Sequence, residues 1–411
     1  MQTFFQRHRF LLMFATLSTL MGTSVGIARV TNSLYAIELH ANESMLGLVA
    51  AGQAAGVLVM SLPVGVLVDR YGPQRPFLMG SILAGTTYAL LPLVPETWFL
   101  LLATTAIGFF MPMRFVSLST VFMRELERIG VGKAGWYRGT HLIGMMLVGP
   151  VVAVSTTKLL GFAGTYWFIT GLFVVTVLWS PVLFSRYGAV TDPRVAQANA
   201  GRRIDLAELR SLFRMVQSEP ELRRACTIEF AGQSVNSFFS FFIVVIALRT
   251  LHLDEAHATQ LLGFQGAAYM TALFFFGGLV ARFGDASASR VSFWLVGLSL
   301  LALGLSQTPW ILVAGCLGLG AGLGTLQIIN LTCFALVGAR LGRGKVSGLT
   351  PLVGTSGILL GSLLGGAVGQ ALGLQRVFLV YAPAFVVFAL CSRVPKAEAY
   401  VAASEAPRFR A

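Results

Sequence analysis

Apolar residues fall along this chain in long, nearly unbroken runs, and short gaps between the runs hold most of the charge. Twelve runs stand out, at about 10–34, 45–68, 76–94, 98–122, 134–157, 161–184, 225–248, 258–281, 289–307, 310–337, 346–372 and 374–392. Each approaches the roughly 20 apolar residues that carry a helix across the hydrocarbon core of a bilayer. A lipid-embedded backbone must satisfy its own hydrogen bonds, so runs of this length read as helices. The longest gap, about 185–224, is polar and carries a short amphipathic stretch, Ile204 to Val216. The pattern is therefore six spans, a linker, and six more.

Composition sharpens this picture. Of 411 residues, 55% are hydrophobic and 11% charged, where a soluble domain carries about 25% charged. The formal net charge of +13 does not gather on one polar domain as nucleic-acid binding would require. It sits in the gaps instead, which makes it a signal of topology. With the N-terminus placed inside, 25 of the 30 Lys and Arg residues fall on the inner side. That bias puts both termini in the cytoplasm. The basic start, Arg7-His8-Arg9, precedes a run too long for a signal peptide and with no small-residue cleavage site, so it opens the first span. The four cysteines show no metal spacing and no disulfide framework. No phosphate loop and no His-Glu-x-x-His motif is present, so no cofactor or metal is expected. Gly22-Thr-Ser24-Val-Gly26 fits a hydrolase nucleophile pattern, but that pattern needs a strand–turn–helix elbow and here it lies mid-span.

The chain also repeats itself. At an offset of 212 residues, the segment Gly65 to Gly72 aligns with Gly277 to Gly284, five of eight identical. At the same offset Arg128, Gly130, Gly132 and Lys133 fall on Arg340, Gly342, Gly344 and Lys345, Gln53 on Gln265, and Gly149 on Gly361. The fold expected is an all-α membrane protein, its twelve transmembrane helices forming two homologous six-helix bundles in the same orientation. The expected boundaries are 1–184 and 225–393 for the bundles, 185–224 for a cytoplasmic linker and 394–411 for a cytoplasmic tail.

On these residues the sequence resembles the major facilitator superfamily over essentially its whole length. The most specific match is the loop after the second run, with Gly65, Asp69, Arg70, Gly72 and Arg75 in the family's pattern. Pro73 and Gln74 depart from its basic tail, and Ala281 replaces the acid in the second copy. The resemblance implies that this loop switches the protein between inward- and outward-open states. A carboxylate at a helix end can bind the dipole of a facing helix, and Arg70 and Arg75 can bridge to Glu125. Gly144 with Gly149-Pro150 is similar to a motif of the family's antiporters, one residue longer. Thr104 stands where the family's drug exporters often carry Arg.

Ionisable groups inside the runs are few, and each is a functional candidate because burial of charge is costly. On a helical ruler Arg114 lies about 12 Å, His141 about 10 Å and Glu229 about 6 Å from the inner ends of the fourth, fifth and seventh runs. The first, fourth, seventh and tenth helices line the cavity in the resembled fold, so Glu229 is expected to face Arg114 across it. One reading gives Arg114 an anionic group of the substrate, and Glu229 or His141 the coupling proton. The other makes Arg114 and Glu229 a structural pair and His141 a cap of polar contacts. Arg29, near the outer face, is an outer way station for an anion or a side chain snorkelling to headgroups. Glu229, Gln233, Asn236 and Ser240 form one polar stripe, as do Ser18, Gly22, Arg29 and Asn32, while Gln327 and Asn330 add a third. Polar stripes on apolar helices face protein or water. The cavity set expected is thus Arg29, Asn32, Arg114, Gln233, Asn236, Gln327 and Asn330. The function expected is secondary active transport of a small anionic or amphipathic organic molecule by alternating access, coupled to protons, in a bacterial plasma membrane. Proton-driven multidrug efflux is the alternative within transport; a channel, a receptor or an intramembrane hydrolase is the alternative outside it. The partners expected are a small-molecule substrate, the proton and the bilayer, with no nucleic acid, for a monomer.

Overall fold

The computed structural model describes residues 9–129, 135–187, 213–341 and 343–391. Most of the expected amphipathic stretch, the tail, Gly130, Gly132, Lys133 and the side chain of Asp69 lie outside the described residues. The helices are α1 (Arg9–Glu38), α2 (Glu43–Tyr71), α3 (Gln74–Leu90), α4 (Thr97–Ile129), α5 (Gly135–Leu142), α6 (Gly149–Tyr187), α7 (Pro220–Arg249), α8 (Glu255–Phe275), α9 (Gly277–Phe283), α10 (Asp285–Leu305), α11 (Pro309–Leu341), α12 (Arg343–Leu372) and α13 (Val377–Cys391). A π-helical turn, Ile143–Val148, joins α5 to α6.

Among the described residues ten helical stretches are long and apolar enough to cross a membrane, and α8 with α9, bent by 59°, makes an eleventh. The longest stretch, Gly139–Tyr187, has 49 residues, which is about 73 Å of helix and more than twice a hydrocarbon core. Gly161 breaks it with φ 67° and ψ −177°. Before the break, His141 lies beside Gly22 and Gly149 beside Gly26. After it, the Tyr166 hydroxyl reaches Asn32, and Tyr187 packs on Phe10 at 4.8 Å between ring centres. The chain climbs along α1 and then descends along it, so this stretch is two crossings and the chain is a twelve-span membrane protein. An even count puts Arg9 and Cys391 at one face, here the terminal face; the other is the distal face.

Several segments differ from the sequence reading. The eighth run is not one straight helix: α8 stops at Phe275 and the bend leads into α9 at Gly277-Gly278. Two adjacent glycines weaken the helix there. The seventh helix begins at Pro220, a residue suited to a first helical turn. Glu229 therefore sits about 13 Å along its helix, about twice the depth expected. Likewise α4 runs to Ile129, which places Arg114 about 22 Å from that end.

The repeat is visible in the packing. Gln53 and Gln265 are matched at the offset of 212, as are Gly108 and Gly320. A Cβ on Gly108 would overlap the backbone oxygen of Gln53, and one on Gly320 that of Gln265. The second and fourth spans, and the eighth and tenth, thus touch backbone to backbone in both halves. The turns repeat too. Asn42 caps α2 by accepting from the Met45 amide, and Asp254 caps α8 by accepting from the His257 amide. Gly72 and Gly284 end their helices at φ 76° and 80°, a conformation that favours glycine. The arginine before each stacks over a neighbouring aromatic ring, Arg70 on Tyr71 and Arg282 on Phe283.

The halves are joined near the distal face. Arg249 pairs with Glu43 at 3.3 Å and donates to the Ala41 carbonyl at 2.8 Å. Ser33 donates to the Phe241 carbonyl at 3.2 Å, Ser44 bonds Gln370, and Gly47 lies against Gly366. The Gly108 and Gly320 contacts leave no room for a side chain, and backbone cannot yield as a rotamer can. Gly108→Ala and Gly320→Ala are expected to lower stability by about 1–3 kcal/mol each. Gly171→Ala, where a Cβ meets nothing within 4 Å, should leave stability unchanged or slightly raised. Melting temperatures of the purified variants in detergent check this; equal values for all three would refute the backbone contact.

Candidate functional site

Glu229 is the centre of the one polar cluster that the described residues build within a recess of the membrane interior. The residue sits on α7 and is 3% exposed. One turn on, Gln233 Nε2 donates to its Oε1 at 3.0 Å. From α11, Asn330 Nδ2 donates to its Oε2 at 2.7 Å and Gln327 Nε2 at 3.5 Å. Gly354 on α12 leaves room for the carboxylate, since a Cβ there would stand 3.3 Å from Oε1. The steps from 229 to 233 and from 327 to 330 put each pair on one helix face. A carboxylate with amide donors on both oxygens is arranged as an acceptor. The Asn330 carbonyl oxygen, by contrast, is buried without a partner among the described residues.

Glu229, Gln233, Gln327 and Asn330 line a narrow recess of about 20 Å³ with Ile228, Gly232, Tyr269, Leu323, Leu326 and Asn236. Asn236 accepts from Gln265 Nε2 at 3.1 Å, so the polar wall continues onto α8. Gln233 and Asn236 are half-buried, and the deeper members Asn330 and Gln265 are buried. A second, larger recess, of about 310 Å³, lies near the distal face among Glu38, Lys158 and Glu255.

The structure brings Glu229, Gln233, Asn236, Gln327 and Asn330 together and leaves the remaining candidates elsewhere. Arg114 is 0% exposed and its contacts are within the first half. Its guanidinium lies 3.9 Å from the Phe173 ring centre and 5.8 Å from that of Phe77, and donates to Thr176 Oγ1 at 3.1 Å. It faces α3 and the second arm of α6, not Glu229, because α4 turns this side of its surface into its own bundle. The expected pairing of Arg114 with Glu229 across the cavity is therefore corrected. Asn32 likewise looks into its own bundle, accepting from the Tyr166 hydroxyl at 2.9 Å. His141 packs edge-on against Phe115 at 5.1 Å, on the first half. Arg29 is half-buried on α1, with no ion pair among the described residues. Of the residues expected to form a switch loop, Gly65 and Arg70 lie in α2, Gly72 follows its end and Arg75 lies in the first turn of α3, with both arginines exposed; the side chain of Asp69 is outside the described residues. Ser24 of the hydrolase-like pattern lies inside α1, its hydroxyl on the Met21 carbonyl at 2.8 Å. Gln265 and Tyr269 were legible only in part: the repeat singled out Gln265, and nothing in the pattern set Tyr269 apart from an interface aromatic.

A twelve-span chain with an internal two-fold repeat and a polar recess between its spans has the architecture of a membrane transporter. The Major Facilitator Superfamily matches it twice, over residues 12–245 and 225–408, and the chain belongs to that family. No curated protein sequence matches it. Among solved structures, a mutant of the nucleoside transporter NupG aligns with TM-score 0.74 at 17% identity, covering 93% of this chain and 98% of that one. A POT family transporter in complex with a thioalcohol-conjugated peptide aligns with TM-score 0.74 at 15% identity, covering 93% and 95%. The human organic anion transporter MFSD10 aligns with TM-score 0.67 at 15% identity, covering 95% and 100%. At these identities the likeness is one of fold.

The Asn330 bond is the shortest that the Glu229 carboxylate receives here. Asn330→Ala is expected to cost about 1.5–3 kcal/mol of stability at neutral pH, read as a lower melting temperature. In the Glu229→Gln background the same change should cost clearly less. Equal costs in both backgrounds would show that Asn330 does not act through the carboxylate.

Proposed function

We propose that this chain is a proton-coupled secondary transporter that binds a small organic substrate in the Glu229 recess and carries it by alternating access. The observation that carries the reading is a single buried carboxylate girdled by three side-chain amides. An ionised Glu229 only accepts hydrogen bonds; once protonated it must also donate. The amides can meet that need by turning their oxygen toward the acid, and the Asn330 oxygen already lacks a partner. Proton uptake therefore reorders the donors and acceptors that Gln233 and Asn236 present to whatever occupies the recess. With leucine and isoleucine on one wall and amides on the other, the recess suits a molecule with an apolar face and a hydrogen-bonding edge.

Orientation follows from the placement of 25 of 30 basic residues on one side, which supports cytoplasmic termini and, with compact loops, a bacterial plasma membrane. The polar clamp near the distal face then marks the outer side, and the recess is served from the cytoplasm. The reading implies a monomer, since each chain holds both halves.

A second reading, an anionic substrate, is favoured by Arg29 alone. This half-buried cation has no ion pair among the described residues, and its helix lines the cavity in the resembled fold. Efflux of drug-like compounds is supported less, because Thr104 stands where the resembled drug exporters often carry Arg.

A thermal-shift screen over anionic, neutral and cationic metabolites and drugs identifies a ligand, since binding to the native state raises the melting point. In proteoliposomes Glu229→Gln is expected to keep ligand exchange and lose accumulation driven by a pH gradient. Full gradient-driven accumulation by that variant would remove the proton from Glu229. Arg29→Ala should leave neutral ligands unaffected and weaken anionic ones about tenfold or more, as loss of a charge-assisted bond implies; an unchanged response to anions ends the second reading.

A further inference from the structure

Arg114 poses a problem that the transport site does not answer. Its guanidinium is wholly buried, always charged, and has no carboxylate partner among the described residues. Thr176 takes one N–H and the Met111 sulfur, at 4.0 Å, receives another weakly. Nε is buried without a partner. Five donors in a fixed fork are thus served by one good acceptor.

Around it stand other unserved polar groups. The hydroxyls of Ser81 and Tyr88 on α3 and of Ser117 on α4 are buried, all at 0% exposure, and without partners. Side chains on a helix lean toward its N-terminus, and α3 and α4 run in opposite directions. Tyr88 therefore leans toward the terminal face and Arg114 toward the distal face, so the two lean toward each other. Both reach Phe173, whose ring centre is 5.5 Å from that of Tyr88 and 3.9 Å from the guanidinium carbon. Ser117 lies one turn from Arg114 on the same face of α4. Ser81 lies one turn from Phe77, the other ring beside the guanidinium. The aromatic faces of Phe77 and Phe173 soften the buried charge but do not cancel it.

We propose that Arg114, with the hydroxyls of Tyr88, Ser81 and Ser117, forms a closed site for a small inorganic monovalent anion of the halide class, inside the first bundle and separate from the Glu229 recess. A halide accepts from every group in the set: the guanidinium supplies charge and N–H donors, and each hydroxyl can turn its proton inward. The aromatic walls and full burial exclude an organic anion. The ion is a resident counter-charge that fixes α3, α4 and the second arm of α6 to one another; it is not transported cargo.

The test is a melting curve of the purified protein in detergent at constant ionic strength, with sodium gluconate replaced stepwise by sodium chloride. Wild type should show a saturable rise of about 3 °C or more, reproduced by bromide and not by changing sodium for choline. Tyr88→Phe and Ser117→Ala should shift the chloride midpoint several-fold upward, and Arg114→Gln should abolish the rise. Bromide-soaked crystals should give an anomalous peak beside Arg114. If the wild type melts alike in gluconate and chloride, water serves these groups and the proposal is overturned. It is equally overturned if the chloride midpoint is the same in wild type, Tyr88→Phe and Ser117→Ala, a comparison that stands even where Arg114→Gln does not fold. Glu229→Gln should keep the chloride response, so the outcome is independent of the transport site.

Discussion

Backbone contact between helices is the constraint on which the rest of this structure depends. Lipid tails are as apolar as leucine, so burying leucine between two membrane helices gains little from water. Close approach must supply the association through dispersion and weak Cα–H···O contacts. Here the approach is made by glycine. Gly22 and Gly26 of α1 meet His141, Met145 and Gly149; Gly108 meets Gln53; Gly320 and Gly324 meet Gln265 and Tyr269; Gly357 and Gly361 meet Phe230 and Ser234. Each contact sets the rotation of a helix and so decides which residues face inward. Tyr269 reaches the recess, and Gln265 its Asn236, because the glycines behind them hold α8 against α11.

Charge is then placed in two unlike ways. The second half buries an acid and answers it with neutral amides from its own helix and from α11. Among the described residues no cation pairs with that acid. The first half buries a guanidinium and sets it against the rings of Phe77 and Phe173 and the hydroxyl of Thr176. The homologous halves thus differ, one burying a carboxylate among amides and the other a guanidinium against aromatic rings. The Glu43–Arg249 pair, between turns of different halves, is the joint that holds them together near the distal face.

The fold was legible because its signals are long and redundant: twelve apolar runs, a charge bias and a repeat at one fixed offset all require the same architecture. The amide cluster was legible for a similar reason. Glu229, Gln233 and Asn236, and likewise Gln327 and Asn330, fall at helical spacing, and polar stripes in lipid must point at protein or water. Arg114 was misread because depth along a helix is a sequence property while rotation about its axis is not. Its direction is fixed by Gly80, whose missing side chain admits the Phe110 carbonyl and the Met113 side chain and so brings α4 against α3, and by Phe173, far away in the chain. The bend at Phe276 and the extent of α4 past residue 122 escaped for another reason: hydropathy marks where lipid ends, not where the helix does.

The π-turn at Ile143–Val148 has a consequence for how such a chain can change length. Glycines that seat the fifth span on the first stand five residues apart, Gly144 and Gly149, whereas their counterparts in the second half, Gly357 and Gly361, stand four apart. A π-turn holds the additional residue as a local bulge without spreading it along the helix. Losing one residue there would restore an ordinary turn, with the two glycines four apart as in the second half, and both sides of the span would keep the faces they now present. A gene coding for this protein can therefore gain or lose a single codon at this point and leave both sides of the span facing as they do.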